Sequence, residues 1–138
     1  MAKRKTDKEW LSEWKEFGDN VDNATPIDLT ESSIQKMKRI QKLEADDEAW
    51  FKYYFPNFYT SEPAEFHLIS TAKVMNTAEY YLVRSWAREL SKSGRTMMEV
   101  LKLALTGKKR NILLVSNSYD NAERLLMPYQ VILERNNR

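Results

Sequence analysis

Apolar residues recur at three- and four-residue steps over most of this chain, and in two places they close up into short runs. Trp10, Leu11, Trp14 and Phe17 share one face of a predicted helix. Gly18, Asp19 and Asn20 are expected to break it, and residues 19–30, with Asp, Asn, Thr and Pro26, read as a linker. Thr30 or Ser32 is placed to cap a second helix that carries Ile34, Met37, Ile40 and Leu43. Pro63 suits the first turn of a further helix, with Phe66, Ile69 and Val74 on one side and Asn76 and Thr77 at its end. Met97, Met98, Val100, Leu101, Ala104 and Leu105 predict a core-facing helix over residues 95–105, with Gly107 just past its end. A last helix starts near Asp120 or Asn121 and carries Ala122, Leu125, Leu126, Tyr129, Ile132 and Leu133, with Pro128 inside the pattern as a kink.

The two runs are residues 80–86, YYLVRSW, and residues 111–116, NILLVS. Both are short, apolar and β-branched or aromatic, the composition of buried strands. From residue 80 onward the predicted order is strand, loop, helix, strand, helix. That is a βαβ unit with parallel strands and a right-handed crossover. The expected fold class is therefore α/β: a helical N-terminal half, its first thirty residues partly ordered, followed by a βαβα unit with parallel strands at residues 80–86 and 111–116.

Between residues 50 and 59 seven of ten positions are aromatic. This density suits a helix end and a turn packed on a core, stopped by Pro56. A base-stacking platform is the sharper alternative, but Lys52 is the one basic residue among them.

Composition narrows the function classes. The chain has 138 residues and a net charge of +2, too mild to argue for nucleic-acid binding by itself. It has no cysteine, which excludes disulfides and thiolate metal sites, and its single histidine, His67, argues against a zinc centre. The basic start at Lys3, Arg4 and Lys5 leads into charge rather than an apolar leader, and no apolar run approaches the roughly 20 residues of a membrane helix. No membrane association and an intracellular setting are expected.

Candidate chemistry sits at residues 86–93. A phosphate loop is Gly, four residues, Gly, Lys, then Ser or Thr, placed between a strand and a helix. Here the frame reads Trp86, Ala87, Arg88, Glu89, Leu90, Ser91, Lys92, Ser93. Lys92 and Ser93 fit, while Trp86 and Ser91 stand at the two glycine positions. Such a loop must converge backbone N–H groups on phosphate oxygens at the positive end of a helix. Lys92 would reach the β- and γ-phosphates, and the Ser93 hydroxyl would ligate Mg²⁺. The same residues also serve as an ordinary turn into a helix, with Lys92 and Ser93 in its first turn and Arg88 in a salt bridge, Glu89 being the nearest partner.

Residues 87–93, ARELSKS, resemble the phosphate-loop variant of the large terminase subunits of tailed phages. In that family the first glycine is commonly missing and an arginine sits early in the loop. The resemblance implies that Arg88 acts on the γ-phosphate during hydrolysis and that Ala87, Arg88, Glu89, Leu90, Ser91, Lys92 and Ser93 surround the nucleotide. It extends upstream to residues 63–67, PAEFH, which are similar to a helix near the adenine pocket and bring in Phe66 and His67. Downstream it takes in residues 106–126, TGKKRNILLVSNSYDNAERLL. Ser91 departs from the family's second glycine. The resemblance implies an incomplete phosphate-loop NTPase core over residues 46–138, behind a variable and partly ordered helical segment over residues 1–45.

The resemblance implies an ATP-binding part of a DNA-packaging motor that uses ATP and Mg²⁺. Its partners would be a portal protein, a small terminase subunit and double-stranded DNA, in the cytoplasm of an infected host cell. Hydrolysis also needs an apolar strand ending in Asp-Glu, and residues 111–117 end in Ser116 and Asn117. The family's nuclease domain has no counterpart in these residues either. The chain therefore reads as the first part of a larger subunit, expected to bind nucleotide weakly and not to turn it over alone. The competing expectation is a non-enzymatic module whose amphipathic segment at residues 34–43 docks a partner.

Overall fold

A computed structural model describes residues 6–138; the basic tip at residues 3–5 lies outside them. The described residues form six helices joined by turns and extended segments. They divide into two compact units. One holds residues 6–30 and 114–138, the other residues 31–113.

In the first unit, α1 (Asp7–Ala24) packs on α6 (Tyr119–Arg135). Thr6 caps α1 reciprocally with Glu9, each bonding the other's backbone N–H. The expected break at Gly18 does not occur: α1 runs on to Ala24, because Val21 and Thr25 are buried and extend the packed face. Gly18 serves a close approach instead. The Arg135 guanidinium lies over it, with Nε 3.0 Å from where a Cβ would stand. Arg135 pairs there with Asp19 at 2.8 Å and Asp22 at 2.9 Å. Val131 and Ile132 bury the facing side of α6, and Ser118 caps its start. Pro128 lies inside α6 without ending it.

The second unit is built from α2 (Ser33–Glu44), α3 (Asp47–Tyr54), α4 (Glu65–Asn76) and α5 (Lys92–Leu105). Ser32 caps α2 in a capping box with Gln35. Asp46 caps α3 by accepting from the N–H groups of Glu48 and Ala49. The aromatic segment goes where its density requires: Trp50, Phe51 and Phe55 are buried, and the helix stops at Tyr54, ahead of Pro56. Pro63 falls short of the helix it was expected to open; α4 begins at Glu65, with Ala64 at its cap position. Met97, Met98, Leu101 and Leu103 are buried along α5, and Gly107 follows it in the left-handed conformation at φ 72°.

The expected α/β core is overturned. The described residues are helical or irregular, with no strand and no sheet. Residues 80–86 are an unpaired segment, not a β-strand, and residues 111–116 are likewise irregular, so there is no parallel pair and no βαβ crossover. A strand exists through a ladder of backbone hydrogen bonds to a neighbour, and neither segment has one. Side chains anchor residues 80–86 instead. Leu82, Arg84 and Trp86 are partly covered, while Tyr81, Val83 and Ser85 face solvent, Tyr81 at 90% exposure. Arg84 supplies the firmest tie. Its Nε donates to Ser70 Oγ at 2.9 Å on α4, and its Nη1 donates to Thr96 Oγ1 at 2.8 Å on α5. In residues 111–116, Leu113 is 85% exposed, so the predicted burial of that run fails as well.

Candidate functional site

The loop of residues 87–91 enters α5 directly, with Lys92 as the first helical residue. Ser91 takes the cap position with φ 52° and ψ 25°, in the left-handed region, and its side chain makes no cap hydrogen bond. Glu89 is also left-handed, at φ 67°. Among the described residues these are the two non-glycine residues with positive φ, and both lie in this loop. Such conformations cost on the order of 1–3 kcal/mol each and persist where their surroundings over-determine them. Ser91 thus adopts the backbone conformation for which a phosphate loop ordinarily uses glycine.

Ala87, Arg88, Glu89, Leu90, Ser91, Lys92 and Ser93 are all exposed. The Arg88–Glu89 ion pair of the alternative reading is not formed. Among the described residues Arg88 and Lys92 have no carboxylate partner and the Ser93 hydroxyl has no hydrogen-bond partner. The first turn of α5 contains no acidic residue, so its free N–H groups and positive dipole end face no carboxylate of their own helix. Two cations, a hydroxyl and a helix start form a donor set suited to an anion. It suits Mg²⁺ only as an ion shared with a bound phosphate, since Ser93 supplies one neutral oxygen and Mg²⁺ keeps several waters. No cluster of three or more potential ligands that could hold a metal is present among the described residues.

Phe66 and His67, singled out from the sequence, do come to this loop. Phe66 meets Trp86 edge-to-face at 5.1 Å between ring centroids, and His67 meets Trp86 in the same way at 5.0 Å. Trp86, which stands at the missing first glycine, therefore forms part of an aromatic cluster with α4. His67 has both ring nitrogens engaged. Nδ1 accepts from the Ala64 N–H at 3.0 Å, so the proton sits on Nε2, which donates to the Leu90 carbonyl at 3.1 Å.

Beneath the loop lies a charged network that the sequence reading missed. Glu99 is 2% exposed and pairs with Arg84 at 2.6 Å. The Thr71 hydroxyl donates to Glu99 Oε1 at 2.5 Å and accepts from Arg95 Nε at 2.8 Å. Arg95 also forms a two-pronged pair with Glu48 on α3, and Arg84 stacks over the Trp86 ring at 5.2 Å. The Arg95–Glu99 spacing of i,i+4 was the one local hint. Further along α5, buried Lys102 pairs with Asp47 at 2.7 Å and lies 5.5 Å from the centre of the Trp50 ring. Tyr59 sits against Glu48, and burial first, with the negative charges of Glu48 and Glu62 second, pushes its phenol up to about 12.

Among the described residues no helix is long and apolar enough to cross a membrane. The chain matches no protein-family model, no curated protein and no solved structure.

Proposed function

We propose that this chain binds the phosphates of a nucleoside triphosphate at residues 87–93 and is an ATP-binding part of a packaging motor of the terminase kind. The observation that carries this is the left-handed Ser91 immediately before Lys92 and Ser93 at the head of α5. The helix start supplies unpaired backbone N–H groups and a positive dipole end, which suit phosphate oxygens. Lys92 would meet the β- and γ-phosphates, Arg88 the γ-phosphate, and Ser93 would share Mg²⁺ with the phosphates and water. Bound Mg-ATP supplies the hydrolysable anhydride; these residues bind and orient it. The aromatic pair of Phe66 and Trp86 beside the loop gives apolar surface for a base.

The resemblance also supplies the proposed partners: a portal protein, a small terminase subunit and double-stranded DNA, with the cytoplasm of an infected host cell as the setting. The strand that ordinarily precedes a phosphate loop is absent among the described residues, so helix start, loop and cations alone would carry the phosphate chemistry. Calorimetric titration with ATP and Mg²⁺, on the wild type and on Lys92→Ala, tests it.

One observation favours a second reading, a helical interaction module. Helix α2 buries none of its residues, and Ile34 and Met37 stand 64% and 63% exposed on it. If nucleotide gives no heat and no thermal shift, this reading takes precedence.

A further inference from the structure

We infer that His67 is a positioning residue for the phosphate loop, acting through the Leu90 carbonyl rather than on the ligand. The inference rests on the nucleotide-binding reading and adds what holds that loop in shape. Leu90 stands between the two left-handed residues, Glu89 and Ser91. Two strained positions so close need an outside restraint. Among the described residues, His67 provides the one side-chain hydrogen bond that reaches the backbone of residues 87–91.

The direction of that bond matters. A trans peptide is planar, with its carbonyl and N–H pointing opposite ways, and no cis peptide occurs among the described residues. By holding the Leu90 carbonyl, the imidazole turns the Ser91 N–H away from itself, toward the side left free for a phosphate. His67 is in turn fixed by its own Nδ1, which accepts from Ala64 N–H at the start of α4. Edge-to-face contact with Trp86 limits rotation of its ring. Both ring nitrogens are thus occupied within the protein, leaving neither for the nucleotide. The start of α4 and the loop before α5, 23 residues apart, are joined through one side chain.

Two conservative variants separate the two bonds. His67→Asn keeps an acceptor near Nδ1 for the Ala64 N–H but is too short to reach Leu90. His67→Gln places an amide N–H near Nε2, able to donate to Leu90. Two measurements on the whole chain follow: Mg-ATP affinity by calorimetry, and backbone order parameters of Leu90 and Ser91 by NMR relaxation without ligand. His67→Asn is expected to lose about tenfold in Mg-ATP affinity and to lower both order parameters, with His67→Gln within about threefold of wild type. A residue that merely caps α4 gives the reverse ranking, and that ranking overturns the inference. Order parameters unchanged in both variants overturn it whatever the ATP result. If wild type binds no ATP, the nucleotide reading fails separately, and a fall in order confined to His67→Asn still supports the pin.

Discussion

Arg84 and Glu99 form an ion pair at 2.6 Å with the two side chains only 10% and 2% exposed. The pair ties the segment before the loop to the middle of α5, and the Thr71 hydroxyl and the Thr96 and Ser70 oxygens complete it. A buried pair of this kind is costly to break from one side, because the surviving charge stays out of water. Glu99→Ala is expected to lower unfolding free energy by about 3 kcal/mol or more, measured by urea denaturation. Arg84→Met combined with Glu99→Leu removes both charges and is expected to recover much of that loss. A single variant as stable as wild type would show that the network carries little.

Ser91→Gly addresses the loop strain. Glycine adopts φ near +50° without the Cβ clash, so the substitution is expected to stabilise the chain by about 1 kcal/mol. Thermal unfolding reads this directly. Ser91→Val is expected to destabilise by more, since a β-branched residue tolerates this region least.

Tyr59 predicts an alkaline limit. Its phenol titrates near 12 in the folded chain, against an ordinary value of 10. The folded state therefore holds the proton more tightly than the unfolded state does. The stabilisation is complete below pH 10 and is lost as pH rises toward 12. Unfolding free energies measured across that range should fall with pH, and Tyr59→Phe should flatten the slope. An unchanged slope would place the alkaline sensitivity elsewhere, with Tyr54, Tyr80 and Tyr129, all raised by burial, as the next groups to replace.

The helices were legible because their signals are local. Ser32 as a cap, the Met97–Leu105 periodicity and Gly107 each mark an element within one or two turns. The strands were misread for the complementary reason. Residues 80–86 have strand composition, and their side chains do alternate between covered and exposed, yet a strand also needs a partner, which no short window contains. At the candidate site, the motif singled out Lys92 and Ser93 and the resemblance Phe66 and His67, whose contacts with Trp86 and Leu90 no spacing rule gives. The roles of Arg84, Thr71 and Glu48 depend on contacts between residues 12 to 47 positions apart, and these were invisible to spacing rules.

The central claim is that the loop before α5 is a phosphate site, and Lys92 is its most exposed commitment. Isothermal titration of the whole chain with ATP and Mg²⁺ tests it most directly. The account predicts saturable one-to-one binding that weakens at least about tenfold in Lys92→Ala, whose thermal stability should match wild type because its side chain is exposed. Absence of binding up to millimolar nucleotide, or binding that Lys92→Ala leaves unchanged, would contradict it.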